Sequence, residues 1–456
     1  MERPPLTRVL AEFALSPLTY SADVEQAGVR SLFNLLGCMF GGVDHPATEI
    51  AADLALEFSG PPTTTLVGRG ARSDGLTAAY LNCLAASAHA FDDTHLETVL
   101  HPAGPVVSAT FAALEHPSRQ GPPPTGCDLL DAIVLGIEVQ CRLGQALWTP
   151  PADGQWGWYA TGVAGGIGAA AAAARPPDLN QEQVRWAFGI AANQASGFRQ
   201  THGSMCTGFV PAHAARSGFH ADLLAERGFT ASDAALEGTN GFLDVFSHSA
   251  HAENAVAALG ERWEITHNAF KPYPCGIVIH PVLDACLALA SMIDGEATTI
   301  EAIELDVNPM CLMLCDRPNP TSNQLAQVSV QHWAAAALAR GRAGLAEGAD
   351  ECVNDPAVKA LRQRVNARPD DAIAREGARV RIRLSDGTTR EEIVEQAIGS
   401  LYRPMTNAQL EAKFRTQARP HMEDERKLDD LVDVCWRINT LPEARTLIEQ
   451  TSAQSA

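Results

Sequence analysis

From Gly162 to Ala174 every side chain except Val163 and Ile167 is a hydrogen or a methyl group. A segment with so thin a profile can be buried only where neighbouring backbones come close to it, so it constrains the packing of everything around it. Gly165, Gly166 and Gly168 could also suggest a phosphate-cradling loop. Such a loop follows a strand, and in its nucleotide-binding form it ends in Lys-Ser/Thr; neither accompanies this stretch. The segment is predicted to be a closely packed helix, not a dinucleotide site.

The same helical character extends over the first 265 or so residues, which are rich in Ala and Leu at helical spacing. Thr125, three before Asp128, and Asn180, three before Gln183, supply side-chain oxygens for two helix starts. Strand patterns are nearly absent here. They begin after residue 266. Ile303, Leu305 and Val307 alternate with Glu304 and Asp306, and Val380, Ile382 and Leu384 alternate with Arg381 and Arg383. Asp386-Gly387 is a hairpin turn leading to a second strand near Ile393. After Gly399 the helical pattern returns, with Thr406 and Gln409 forming a capping box. The expected architecture is mainly α: a large all-α domain from residues 1–265 and 399–456, and a smaller α+β domain over 266–398. Residues 451–456 are expected to fray.

Lys and Arg total 34 against 54 Asp and Glu, a net charge of −20. That excludes nucleic acid as the natural partner and disfavours an anionic membrane surface. An anionic substrate then needs locally placed cations or backbone N–H groups. The 11 cysteines are scattered, with no CxxC, and read as reduced thiols. The start, Met1-Glu2-Arg3-Pro4-Pro5, lacks a secretory pattern, and no apolar run reaches the roughly 18 residues of a membrane span. The expected compartment is the cytoplasm.

Two stretches carry dense polar chemistry. His89, Asp92, Asp93, Thr94, His95 and His101 fall within a single short interval of an otherwise Ala-rich chain. A histidine beside carboxylates is an acid/base arrangement, because its pKa lies near neutrality; the competing reading is a capped helix end and a polar loop. Lys271 stands in Phe270-Lys271-Pro272-Tyr273-Pro274-Cys275, where the prolines stiffen an extended backbone and could present the ammonium to a carboxylate. The competing reading is a surface lysine. His248 and His251, at helical spacing near Glu253, have no further ligand, so no metal is expected. No Gly-x-Ser-x-Gly elbow occurs.

These stretches resemble the MmgE/PrpD family. The interval Ala88 to Pro105 is similar to its His–Asp–Asp–Thr…His-Pro-Ser/Ala-Gly signature. Gly157-Trp158-Tyr159-Ala160-Thr161-Gly162 resembles its Gly-Trp/Phe-His-x-Thr-Gly segment, and Gly203-Ser204-Met205-Cys206-Thr207 its Gly-Thr/Ser-Met-x-Lys segment. Lys271 to Cys275 matches Lys-x-Tyr/Phe-Pro-Cys/Ala, and Gly399, Pro404, Thr406, Lys413 and Phe414 fit the C-terminal pattern. The resemblance implies a helical domain built from both chain ends with an α+β lid, a homodimer, no cofactor, and chemistry at carbon next to a carboxylate. It makes His101 the acid/base, Asp93 its orienting partner and Lys271 the holder of a substrate carboxylate. Asp92, Thr94, Thr207, Met205, Cys206 and Cys275 are its substrate-binding candidates.

Three positions depart from the family's pattern. Tyr159 stands where it has His, Thr207 where it has a substrate-contacting Lys, and His332 where many members have Tyr. Tyr159 and His332 could exchange roles and keep an acid/base pair, which makes both catalytic candidates. The lost Lys points to a substrate with fewer carboxylates, with Arg199, His202 and Arg403 as substitute cations. The expected function is a cofactor-free lyase, dehydratase or decarboxylase, acting on a small carboxylic acid. The alternatives are an isomerase or epimerase of such an acid, or a non-catalytic binding relative. Convergence of His101, Asp93, Thr94 and Lys271 on one pocket would separate the enzyme from the binding relative.

Overall fold

The computed structural model describes residues 3–117, 121–148, 157–175, 179–293 and 297–452. Its helices of ten residues or more are α1 (Leu6–Leu15), α2 (Ala22–Gly41), α3 (Pro46–Phe58), α4 (Gly75–Ser87), α5 (Ala103–Leu114), α6 (Gly126–Trp148), α7 (Ala160–Ala173), α8 (Gln181–Ala192), α9 (Cys206–Glu226), α10 (His280–Met292), α11 (Val330–Arg340), α12 (Asn407–Ala418) and α13 (Glu425–Trp436). The strands are β1 (Thr64–Leu66), β2 (Ala71–Ser73), β3 (Asp93–His95), β4 (Asn268–Phe270), β5 (Ile300–Val307), β6 (Val365–Pro369), β7 (Ala378–Leu384) and β8 (Thr389–Val394). The fold is mainly α with a smaller α+β region.

α7 is the Gly/Ala segment, and each of its residues is buried. A Cβ added at Gly168 would lie 2.7 Å from the Gly136 carbonyl oxygen of α6, and one at Gly218 of α9 would lie 2.6 Å from the Gly166 carbonyl oxygen. The missing side chains therefore let α6 and α9 approach α7 backbone to backbone. The helix starts form as their residues require. Asn180 with Gln183 and Thr406 with Gln409 make reciprocal capping boxes, and Thr125 exchanges hydrogen bonds with Asp128.

One apolar core gathers residues from both ends of the chain, Leu6 through Phe270 and Met405 through Ile448. α12 packs on α2, where the Phe33 and Phe414 rings stack at 4.7 Å. Thr451 is buried and its carbonyl accepts from the Gly68 N–H at 2.9 Å, so that residue is anchored and not frayed; residues 453–456 lie outside the described set. A second core runs from Cys275 to Ile382 and covers a sheet of order β6-β5-β7-β8. β5 pairs in parallel with β6, while β5–β7 and β7–β8 are antiparallel. Gly387, at φ +83°, supplies the left-handed residue of the β7–β8 turn. The chain passes from the first core to the second between Phe270 and Cys275, the stretch that holds Lys271. Among the described residues no helix is long and apolar enough to cross a membrane.

Candidate active site

The site is built on a two-stranded ribbon. β3 and β4 pair antiparallel with Asp93 opposite Phe270 and His95 opposite Asn268. The next residue beyond each strand at that end is Asp92 on one side and Lys271 on the other, so the register brings them together. The Lys271 ammonium donates to Asp92 Oδ1 at 2.9 Å and to the Ala90 carbonyl at 3.0 Å. Ala90 takes a left-handed φ of +49° to turn into the ribbon. Both charged groups are almost fully buried. Burial alone would raise the Asp92 pKa, but the Lys271 charge outweighs it and holds the carboxyl below its usual range. Lys413, from α12, underlies the pair. Its ammonium donates to Asn34 Oδ1 at 2.7 Å, the Phe91 carbonyl at 2.7 Å and the Lys271 carbonyl at 2.9 Å.

His101 lies just before α5, after a tight loop in which His95 N–H donates to the Leu100 carbonyl and Val99 N–H to the His95 carbonyl. Val99 is held at φ +56°, a strained conformation for a β-branched residue. The His101 Nδ1 lies 2.7 Å from the Asp93 carbonyl oxygen, 3.3 Å from Thr94 Oγ1 and 3.5 Å from Asp92 Oδ1. A carbonyl can only accept, so Nδ1 carries the proton and Nε2 is the bare nitrogen. Burial pushes the ring down to about 4, against the pull of Asp92, so His101 is neutral near pH 7.

His101, Asp92, Lys271, Tyr159, Thr207, Arg199 and His202 line one cavity of about 80 Å³. Its opposite wall comes from the α+β region, with Leu314, Cys315, Gln327 and Val328. Tyr159 precedes α7, its ring edge-on to His101 at 6.1 Å and to His202 at 4.7 Å. Burial raises the phenol, which stays protonated. His202 is driven to about 3 by burial and then by the Arg199 charge. Thr207 Oγ1 donates to the Thr201 carbonyl at 3.1 Å. Of the charged lining groups, Lys271 and Arg199 stand against Asp92, a surplus of one positive charge. The arrangement can hold a carboxylate beside a neutral imidazole and a protonated phenol.

Several expected site residues are placed elsewhere. The Asp93 carboxylate points away from His101 and accepts from Asn268 and from the Ala103 N–H at the start of α5; it is the Asp93 backbone carbonyl that orients the ring. Burial and the neighbouring Asp92 charge push the Asp93 carboxyl up to about 7. Thr94 touches His101 but lines a neighbouring cavity, so of the four residues expected to converge on one pocket His101 and Lys271 line it while Asp93 and Thr94 do not. His332 is fully buried behind the second core, with Nε2 donating to the Glu347 carbonyl at 2.8 Å and Arg362 at Nδ1, so it forms no pair with Tyr159. Its place in a helix that packs inward, invisible in the motif, decides this. Cys275 is buried in the second core, and Met205 and Cys206 are exposed at the start of α9. Arg403 pairs with Asp284 at 3.6 Å, away from the cavity. His251 pairs with Glu253 at the surface. The metal-ligating side chains that do converge among the described residues are His95, Glu97, Glu264 and His267, at the far end of the β3–β4 ribbon. There Arg262 holds Glu264 Oε1 at 2.5 Å, and Gln145 donates to Glu97 at 2.7 Å and to Glu264 at 3.3 Å, which makes the cluster an ion-pair lock. Gln327 was not legible as a site residue. It belongs to no motif, yet its amide donates to the Ala88 carbonyl at 2.9 Å and ties the second core to the cavity.

The MmgE/PrpD N-terminal domain matches residues 7–255 and the MmgE/PrpD C-terminal domain matches residues 273–438. The chain belongs to the MmgE/PrpD family. Among curated relatives, it is similar to a cis-aconitate decarboxylase of Aspergillus terreus, 26% identical over 451 residues, covering 94% of this chain and 91% of the relative. It is also similar to the cis-aconitate decarboxylases of Mus musculus (28% over 403 residues, 85% of this chain and 81% of the relative) and Homo sapiens (27% over 407 residues, 87% and 83%). The cavity lies where this family member's two matched segments meet, with lining residues from both.

Proposed function

We propose that this MmgE/PrpD protein is a cofactor-free lyase of the decarboxylase type, acting on a small carboxylic acid as a homodimer. The observation that carries it is the neutral His101, fixed by the Asp93 carbonyl with Nε2 bare, in the same cavity as Lys271 and Arg199. The relatives' activity supports carboxy-lyase chemistry over dehydration, and gives the isomerase alternative no support.

In this reading Lys271 and Arg199 hold the substrate carboxylate that stays. When the neighbouring carboxylate leaves as carbon dioxide, the electron pair of the broken C–C bond delocalises into the retained carboxylate, and the two cations stabilise that charge. The carbon is then protonated. His101 moves the proton at Nε2. A bound substrate anion raises the affinity of the ring for a proton, so the imidazole that is neutral in the free site can cycle between base and acid. Tyr159, protonated and edge-on to His101, is the second proton donor in reach. Asp92 holds Lys271 extended through the 2.9 Å hydrogen bond to its ammonium.

The test is proton NMR in D₂O with cis-aconitate and a panel of other small acids, with carbon dioxide release measured in parallel. The reading requires deuterium in the product next to a carboxylate, and its loss in His101→Ala. Turnover retained in His101→Ala would remove the assignment.

A further inference from the structure

We propose that the end of the β3–β4 ribbon opposite the cavity is a binding site for one divalent transition-metal ion of the zinc class. The ligands are His95 Nε2, His267 Nδ1, Glu264 Oε2 and one carboxylate oxygen of Glu97. Each of these four side chains brings a ligand atom within 4.8 Å of the others. The register builds the site. His95 pairs with Asn268, so His267, the residue before β4, arrives at the same end of the ribbon, and Glu264 opens the 3-10 turn Glu264–His267 that leads into it. The other end of the ribbon carries Asp92 and Lys271. The ion joins the two strands and takes no part in proton transfer at His101.

Distances and partners both fit. A tetrahedral zinc with bonds of about 2.1 Å sets its ligand atoms about 3.4 Å apart. His95 Nε2 lies 3.3 Å from Glu264 Oε2, and His267 Nδ1 lies 3.6 Å from the same oxygen. Both separations exceed the roughly 2.7–2.9 Å of a charge-assisted hydrogen bond. The two buried ligands are also held at their other polar atoms, as metal ligands are. Thr98 Oγ1 lies 2.8 Å from His95 Nδ1, which donates to it when Nε2 carries the metal, and Arg262 meets Glu264 Oε1 at 2.5 Å. Gln145 donates at 2.7 Å to Glu97 Oε2 and at 3.3 Å to Glu264 Oε2, and the ion displaces the longer of these bonds. Two carboxylates meet one arginine, so a negative charge is left for a cation to offset. His95 and Glu264 are buried while Glu97 is exposed and His267 half-buried, which gives an ion a path from solvent. Two imidazoles with two carboxylates favour zinc and its neighbours over magnesium or calcium, which prefer oxygen ligands alone. Without metal the same groups form the ion-pair lock.

The test is equilibrium dialysis of the intact, chelator-treated protein against micromolar zinc chloride at about pH 8, where an imidazole is ordinarily neutral. Bound zinc is counted by elemental assay, and the melting temperature is followed in parallel. The expected result is one ion per chain and a higher melting temperature in zinc that a chelator reverses. Binding should weaken at least about tenfold in His267→Ala and in Glu97→Gln, since even an outer partner of a metal ligand is worth that much. Both side chains reach solvent, and if one variant does not fold the other decides. A native protein that retains no zinc and gains no thermal stability from it would overturn the proposal. So would zinc held equally well by both variants, which would move the ion to the exposed thiols of Cys127 and Cys206.

Discussion

Lys413→Met separates what holds the fold together from what positions the chemistry. The ammonium of Lys413 makes three hydrogen bonds, to Asn34, Phe91 and Lys271, and lies 3.8 Å from the centre of the Phe91 ring. The two carbonyls belong to the residues that immediately precede Asp92 and carry the catalytic-site ammonium. Removing the donor leaves three buried acceptors unsatisfied, at about 1–3 kcal/mol each. Against that, burial lowers the Lys413 pKa from 10.5 to about 8. Keeping the group charged in the fold therefore costs about 3 kcal/mol near neutral pH, a cost the methionine does not carry. Methionine also keeps the contact with Phe91. The balance is a loss of stability of about 3 kcal/mol, at the centre of a span of about 0–6 kcal/mol, by urea denaturation. The effect on catalysis is expected to be larger. A shift of about 1 Å in Asp92 or Lys271 costs about a hundredfold in rate. The assay is deuterium exchange and turnover with kcat and KM resolved, beside Lys413→Arg, which retains donors to the same carbonyls and should recover part of kcat. A Lys413→Met protein with the stated loss of stability but kcat within threefold of the native value would refute the positioning argument.

Other outcomes follow from the same geometry. Lys271→Ala should lower kcat/KM by about a hundredfold or more, because it removes a donor to the charge that develops on the retained carboxylate; steady-state kinetics checks this. His332→Gln should leave turnover within a few-fold of native while lowering the melting temperature, since the ring touches Glu347 and Arg362 and not the cavity. Nitrogen-15 NMR should find the His101 ring neutral, with its proton on Nδ1, down to about pH 4, because burial lowers its pKa to that value. The Asp93 carboxyl, raised to about 7, binds its proton more tightly in the fold than in the unfolded chain. Its contribution to stability is therefore present at low pH and lost as pH rises from about 4 to about 7, by roughly 1.4 kcal/mol per pH unit. Denaturation profiles of Asp93→Asn should lack that component.

Much of the architecture was legible because it rests on local rules. The small residues of Gly162–Ala174 demanded close helix packing, and the alternation at Ile303–Val307 and Val380–Leu384 marked the two long strands that form. The three-residue strands β1 to β4 were not legible. They are too short to show a period, and β3 meets β4 across more than 170 residues of sequence, a pairing fixed by tertiary structure alone. The candidate site divides the same way. His101, Asp92, Thr207, Tyr159 and Lys271 share the cavity, as motif positions suggested. Which atom does what was not in the motif. Sequence names Asp93, but its side chain caps α5 and its carbonyl holds the imidazole, while Asp92 meets the ammonium. Two adjacent carboxylates with opposite pKa shifts cannot be told apart until the backbone sets their directions. The apparent exchange of His and Tyr between Tyr159 and His332 failed for a related reason: α11 turns His332 into its own core.

The most direct test of the account is deuterium incorporation by the native protein and by His101→Ala, with carbon dioxide release followed on the same panel of acids. The account predicts deuterium next to a carboxylate together with carbon dioxide from at least one acid, and loss of both in the variant that still binds the acid. Exchange and release that survive without the His101 ring would contradict it.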